Sequence, residues 1–255
     1  MAQIWNRDRL DLSAAIRPGD AVIWGQACGE PQTLTEALVS QRAALGGIKV
    51  FLGASFSQTM QPEHADHLRI SGLGGVGSGR RLTKAGVVAV LPLHISQVGP
   101  CIEAGLIGCD VVMVQVSRPN ASGEHSFGLT ADYIQTAVAK ARTVIAEVND
   151  QVPFTHGIGM LNAGEIDFMV ETSRAPVEVG SASISDLERT IARYIEAYIL
   201  DGATLQVGIG AIPDAVVAAI GNRRDLGIHS GMIGDSVVEL MERGVVTNAR
   251  KPIDT

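Results

Sequence analysis

The chain has 255 residues, of which 46% are apolar and only 4% aromatic. It is long enough for one large α/β domain, or for one domain and part of a second, with an interior filled by Ala, Val, Ile and Leu. A formal net charge of -7 from 20 basic and 27 acidic residues leaves no positive face for a phosphate backbone and excludes nucleic acid as an expected partner, so any anionic ligand must be held by local backbone N–H groups and a few placed cations.

The first residues, MAQIWNRDRLDL, hold no apolar run of signal-peptide length. No stretch approaches the roughly 18 uncharged apolar residues of a membrane span, so no membrane association is expected and the expected compartment is the cytoplasm. Short apolar runs rich in β-branched residues then alternate with helical segments: AVIWG from Ala21, IKVFLGA from Ile48, VVAVLP from Val87, CDVVMVQVS from Cys109 and TVIAEVN from Thr143. This rhythm predicts an α/β fold, an open and mostly parallel sheet with flanking helices, whose strand ends open into loops where ligands bind. Residues 131–142 read as a helix with Ile134, Val138 and Ala141 on one face.

Several local signals in this part carry little. His64 and His67 have spacing that could serve a metal but lack a third ligand nearby, so no metal is expected. The run GLGGVGSGRR from Gly72 lacks the Gly-Lys-Ser/Thr ending of a nucleotide loop, and Arg80 and Arg81 read equally as anion contacts or surface charges. Cys28, Cys101 and Cys109 form no C-x-x-C pair and read as small buried side chains in a reducing compartment.

The segment PVEVGSAS from Pro176 precedes a helix start marked by the capping box of Ser185 and Glu188, with Leu187, Ile191, Ile195 and Tyr198 on one stripe. A domain boundary is therefore expected near Ala182. It separates an N-terminal α/β domain over residues 1–182 from a second α/β domain over 183–255, which reads as incomplete because only two or three strands follow. A homo-oligomer, or pairing with a chain that completes the second domain, is the expected consequence. In this part come the turn at Asp201 and Gly202, the strand ATLQVGIG, a helix opened by Pro213, the short strand LGIHS and a helix over 236–243 stopped by Gly244.

Two stretches carry the chemistry. In TLQVGIGAIPDAVVAAI a buried strand runs through Gly208 and Gly210 to Ala211 and a helix start, where backbone N–H groups can approach a carbonyl oxygen or phosphate. In DLGIHSGMIGDSVVELMERGVVTNARK a strand presents His229, Ser230 and Gly231 at its end. On spacing alone His229 also reads as an ordinary hydrogen-bonded loop histidine, and the glycine turn as plain α/β packing.

Together these stretches resemble the acetyl-CoA hydrolase/transferase family of the 4-hydroxybutyrate CoA-transferase kind, among the family I CoA transferases. The matching residues are Asp201, Gly202, Leu205, Gln206, Gly208, Ile209, Gly210 and Pro213, then His229, Ser230 and Met232, then Gly244, Val245, Thr247 and Asn248. The first domain adds Pro18-Gly19-Asp20, Gly29 with Pro31, the run VQVSRPNASGEHSFGLT from Val114 and IAEVNDQVPFTHG from Ile145. The resemblance implies an acyl-CoA:carboxylate CoA-transferase or acyl-CoA hydrolase. It takes a coenzyme A thioester and a small carboxylate as substrates and uses no metal or dissociable cofactor. In that family a Glu between the equivalents of Ser230 and Met232 attacks the thioester, giving an acyl-glutamyl anhydride and then a glutamyl-CoA thioester. Here that position is Gly231.

By the same resemblance Gln115 and Ser117 border an acyl pocket, while Gly208, Gly210, Ala211 and Ser230 contact the thioester or CoA. His229 or Asp235 remains as a base for a water attack; Glu239, the other nearby carboxylate, reads as a surface charge. A non-catalytic acyl-CoA-binding or complex-forming subunit is the alternative. On the residues alone, Gln115 serves equally well as a partner for neighbouring loop backbone.

Overall fold

Runs such as VVMVQV and TVIAEVN cannot leave their backbone groups unpaired once buried, and a parallel sheet covered on both faces satisfies them. The computed structural model describes residues 2–157, 159–180 and 183–252. Contacts divide the chain into two units, Met1–Val179 and Gly180–Thr255. Ala182, where the sequence puts the boundary, lies outside the described residues.

The first unit contains strands β1 (Gln3–Trp5), β2 (Ala21–Trp24), β3 (Lys49–Leu52), β4 (Arg69–Gly72), β5 (Val88–Val90), β6 (Val111–Val116), β7 (Glu124–His125), β8 (Thr143–Asn149), β9 (Leu161–Asn162) and β10 (Phe168–Thr172). Its helices are α1 (Gln32–Gln41), α2 (Gly79–Lys84), α3 (Ile95–Glu103) and α4 (Ile134–Lys140). Eight strands form one sheet in the order β1-β10-β8-β6-β2-β3-β4-β5, and every pairing in it is parallel. β7 and β9 form a small antiparallel pair outside it. The expected α/β architecture with its parallel sheet is therefore present, and α4 is shorter than the predicted 131–142 because its helical hydrogen bonding starts only after Tyr133.

The period-2 alternation of strands sorts side chains onto two faces. Val22, Trp24, Val111, Met113 and Ile145 pack with Leu34 and Leu38 of α1 and Leu82 of α2. Ile23, Val112, Val114, Val116, Val144, Ala146 and Val148 pack with Val98 and Ile102 of α3 and Ile134 and Ala137 of α4. Full burial of a Leu such as Leu34 or Leu38 contributes about 1.5–3 kcal/mol relative to leaving it in water.

The carboxyl end of the α1 face is polar. α1 follows Pro31, which offers no side-chain cap. The fully buried carboxylate of Glu147 on β8 takes that role from outside the helix. It accepts the Thr33 N–H at 2.9 Å, the Thr33 hydroxyl at 2.8 Å and the Thr172 hydroxyl at 3.1 Å. At the opposite end of the sheet Arg142 makes two hydrogen bonds to Asp20, at 3.1 and 2.7 Å, and the Arg17 N–H donates to the same carboxylate at 2.7 Å.

The second unit contains α5 (Asp186–Glu196), β11 (Thr204–Leu205), α6 (Ala211–Ala219), β12 (Gly227–Ile228) and α7 (Asp235–Glu242). β11 and β12 pair in parallel, and Leu226 bridges Val246 in the same sense. Ile199, Val217, Ile220, Leu226, Val237, Leu240, Val245 and Val246 form its core. The capping box of Ser185 and Glu188 is in place at the start of α5. The predicted apolar stripe of α5 is not its packing face: Leu187 is 67% and Tyr198 87% exposed, whereas Ala192 is buried. Of the predicted strand ATLQVGIG only Thr204–Leu205 is paired, since the backbone of Val207 bonds to the Ser230 side chain instead of a neighbouring strand. α6 starts at Ala211, so Pro213 is its third residue. It is still within the first turn, where a missing N–H leaves no helical bond unmade.

Two ionisable groups give opposite pH signatures. Burial pushes the Asp20 carboxyl up, but the Arg142 and Arg17 hydrogen bonds outweigh it and hold the group below its ordinary value. Its stabilisation is present above the unfolded-state value and is lost as pH falls through the lowered folded value. Asp20→Asn is therefore expected to cost about 1–3 kcal/mol at neutral pH by denaturant unfolding, with the difference shrinking in acid. For Glu147 burial dominates and pushes the carboxyl above its ordinary value. That contribution is full below the unfolded-state value and lost as pH rises through the raised one. Glu147→Gln, which can keep the Thr33 N–H as donor, is expected to give a shallower decline of unfolding free energy as pH rises above the ordinary carboxylate range.

Candidate active site

In the sheet order, β2 is followed outward by β3, β4 and β5 on one side, while β6, β8 and β10 lie on the other. The carboxyl ends of β2 and β6 therefore mark the point where the strand order reverses, the position at which open α/β sheets bind ligands. Gln115 is the fifth residue of β6 and Ser117 follows its end, so both sequence-predicted residues of this unit stand at that point.

Gln115 is buried and fully engaged. Its amide nitrogen donates to the Cys28 carbonyl at 3.1 Å in the loop after β2, and its oxygen accepts from Asn149 Nδ2 at 3.1 Å. Ser117 is buried too: its hydroxyl donates to the Arg118 carbonyl at 2.8 Å and accepts the Ser126 N–H at 3.0 Å. The Ser117 carbonyl lies 2.9 Å from His125 Nδ1. These contacts fix the loops after β2 and β6.

The loop after β2 is closely packed. Ala27 holds a left-handed φ of 51°, a conformation that L side chains adopt at a cost of about 1–3 kcal/mol. The Ala27 N–H donates to the Ala54 carbonyl at 2.7 Å, and the Gln26 side chain accepts the Ala54 N–H at 2.8 Å and donates to Asp132. Gly29 allows Thr130 to close on the backbone, since a Cβ there would stand 2.6 Å from the Thr130 Cβ.

Asn149 holds this end of the sheet together and was not singled out by sequence. It is fully buried. Besides Gln115, its Nδ2 donates to the Arg174 carbonyl at 2.7 Å, and its Oδ1 accepts the N–H groups of Gln151 and Arg174, each at 3.1 Å. The available signal was a carboxylate and an amide, Glu147 and Asn149, spaced by two inside an otherwise apolar buried strand.

The other six predicted residues lie in the second unit, on the segments that follow β11 and β12. The His229 N–H donates to the Leu205 carbonyl at 2.9 Å, and the Ser230 hydroxyl both donates to the Val207 carbonyl at 2.9 Å and accepts the Val207 N–H at 3.2 Å. The segments leaving β11 and β12 thus run side by side as far as Val207 and Ser230. Gly210 caps α6 with φ 122° and ψ 173°, leading directly into Ala211. That left-handed φ is a glycine conformation. The helix end carries the partial positive charge and free N–H groups that suit a developing oxyanion. His229 and Gly231 are exposed, and a Cβ added at Gly231 would meet nothing within 4 Å. Asp235 opens α7, also exposed.

No group of three His, Cys, Asp or Glu side chains that could hold a metal forms among the described residues. His64 Nδ1 accepts the Gln61 N–H at 3.1 Å in a short helical turn. In the glycine-rich run, Gly77 lies against the Ser55 carbonyl, where a Cβ would stand 2.1 Å away, and Arg80 donates to the Gly75 carbonyl at 3.1 Å. The run serves that close approach. Burial pushes the Cys109 thiol up to about 12. Among the described residues no helix is long and apolar enough to cross a membrane.

Comparison with known proteins gives the family of the chain. The profile of the acetyl-CoA hydrolase/transferase N-terminal domain matches residues 8–179. The chain is 35% identical over 234 residues to a 4-hydroxybutyrate coenzyme A transferase of Clostridium kluyveri, covering 91% of this chain and 54% of the relative. It is 29% identical over 251 residues to a butyryl-CoA:acetate CoA-transferase of Anaerostipes caccae, covering 94% and 56%. Among solved structures, RipA from Yersinia pestis superposes with a TM-score of 0.90 at 27% identity, over 98% of this chain and 61% of that one. A 4-hydroxybutyrate CoA-transferase from Porphyromonas gingivalis gives 0.79 at 29% identity, over 98% and 59%. The chain spans about half the length of the curated relatives it matches. On the strength of the profile match and the 35% identity across most of its length, the chain belongs to the acetyl-CoA hydrolase/transferase family.

Proposed function

We propose that the chain handles an acyl-CoA thioester in the manner of an acyl-CoA:carboxylate CoA-transferase or acyl-CoA hydrolase, with a small carboxylate or water as acceptor. The observation that carries this is the side-by-side arrangement of the Gly208–Gly210 turn and the His229–Ser230–Gly231 strand end, fixed by the Ser230–Val207 bonds. In this reading the backbone N–H groups around Gly210 and Ala211 polarise the thioester carbonyl, and the attacking group projects from position 231. No metal or dissociable redox cofactor takes part. The working form is a homo-oligomer or a complex with a second chain, in the cytoplasm.

Gly231 divides the proposal. A carboxylate at 231 would attack the thioester carbon, expel CoA as thiolate and leave an acyl-glutamyl anhydride; the CoA thiolate then attacks the glutamyl carbonyl, releasing the acyl group as its free carboxylate and leaving a glutamyl thioester. Glycine offers no oxygen for these steps. With Gly231, two roles remain for the chain: hydrolysis by a water deprotonated by His229 or Asp235, or binding of the acyl-CoA without turnover. Gln115 and Ser117 act by shaping the loops after β2 and β6, since their polar atoms are already bonded within the protein.

The open space at Gly231 makes the test direct. Gly231→Glu in the full chain, incubated with butyryl-CoA, is expected to acquire a covalent CoA adduct seen by mass spectrometry. Acetate-dependent turnover should rise by about a hundredfold, equivalent to about 2.7 kcal/mol of barrier. Gly231→Gln, isosteric but not nucleophilic, should do neither. Absence of both gains in Gly231→Glu would overturn the transferase reading. Thiol release by the unsubstituted chain without an adduct would select the hydrolase, and its absence would select the binding-only role.

A further inference from the structure

The chain after β3 crosses the start of α1 with few bonds of its own. It is anchored before the crossing at Ser55, whose carbonyl accepts the Ser78 N–H at 2.7 Å, and after it at Met60, buried in the same core as Leu34 and Leu38. Between these anchors Phe56, Ser57, Gln58 and Thr59 take part in no backbone–backbone hydrogen bond among the described residues. Gln61, just beyond, donates to the Gln58 carbonyl. The tie to another element is made by the Ser57 hydroxyl, which donates to Glu30 Oε1 at 2.9 Å. Residues 56–59 therefore form a strap held down on one carboxyl group.

Glu30 is 2% exposed. Its Oε1 also accepts the Thr35 hydroxyl of α1 at 3.0 Å, and the Thr59 hydroxyl of the strap lies beside the same carboxyl. Every one of these partners is neutral. The charges that face it are Glu36 of α1, which repels a carboxylate, and Arg174 after β10, whose guanidinium is taken by Glu36 in two bonds of 2.7 Å. Glu147 of β8 is engaged with Thr33 and Thr172. Hydroxyls donate and accept, so they can serve the acid as well as the carboxylate, but a carboxylate buried without a cation pays for its lost hydration. Burial outweighs the hydroxyl bonds and pushes the Glu30 carboxyl above its ordinary value. The attachment is thus full below the unfolded-state value and is weakened as pH rises through the raised one. Water can reach the charge most easily by displacing the part with the fewest other bonds. That part is the strap, since α1 and the sheet are held by their own backbone bonds.

We propose that Glu30 is a pH-dependent latch: the strap over residues 56–59 lies on the start of α1 while this carboxyl is protonated and is released when it ionises. The strap walls a cleft of about 650 Å³ shared with the start of α1 and the segment after β10, so release opens that wall. The test is NMR relaxation of the backbone amides of Ser57, Gln58 and Thr59 in the full chain, followed upward in pH from the ordinary carboxylate range. Their order parameters are expected to fall from about 0.85 to below about 0.6, while those of the α1 amides stay constant. Glu30→Gln, which keeps an oxygen for the Ser57 hydroxyl and cannot ionise, should hold the high values throughout. Ser57→Ala should give low values at every pH, and so reads the latch even if Glu30→Gln fails to fold. Glu147→Gln should leave the pH dependence in place. Order parameters that do not change with pH in the unsubstituted chain, a fall that persists in Glu30→Gln, a rigid strap in Ser57→Ala, or loss of the pH dependence in Glu147→Gln would each overturn the proposal.

Discussion

Polar groups removed from water must find partners or cost free energy, and the carboxyl end of the large sheet is organised by that demand. Along β6 and β8 the face toward α1 begins with Val111, Met113 and Ile145 and ends with Gln115, Glu147 and Asn149. The three polar side chains are buried, and each bonds to something beyond its own strand. Gln115 holds the loop after β2, Glu147 caps α1, and Asn149 holds the segment after β10. Asn149 uses both hydrogens of its amide nitrogen and accepts twice on its oxygen. Removing any one leaves a buried group unpaired in another element, so loops that a surface-only description would treat as separate are fixed together.

This arrangement has a functional cost and benefit. Side chains committed to such a network are poor candidates for chemistry, because their donors and acceptors are already filled. They make good supports for it, since they hold a strained residue such as Ala27 and the loops leaving β2 and β6 in one geometry. In the second unit the reverse holds: Gly210, His229 and Gly231 are open, and the strand ends are fastened by the side chains of Ser230 and Asn248. A fixed scaffold and an open position for the reacting group are thus separate properties of the chain. Gly231 shows how far apart the two can drift, for the family assignment rests on blocks spread along the chain and would be unaltered by any residue at that position.

The large features of the fold were legible because they follow from burial. Continuous β-branched runs announced β2, β3, β5, β6 and β8, and the capping box announced α5. Other elements were hidden for specific reasons. β4 is Arg-Ile-Ser-Gly, with too few apolar residues to stand out, and α3 carries Gly99 and Pro100 inside it, which read as breakers. β1 has only three residues and depends on β10 for its partner. The apolar stripe read on α5 misled because the packing face of that helix is set by the small Ala192.

The sequence by itself determined the parallel α/β class and the family blocks, including the glycine at 231, because composition, strand rhythm and motif order are properties of the chain as written. Only the tertiary structure decided what Gln115 bonds to, how Ser230 joins two strand ends, and that Arg174 meets Glu36 across 138 positions of sequence. Those contacts arise between segments brought together by sheet order and register. Neither hydropathy nor local spacing carries that information.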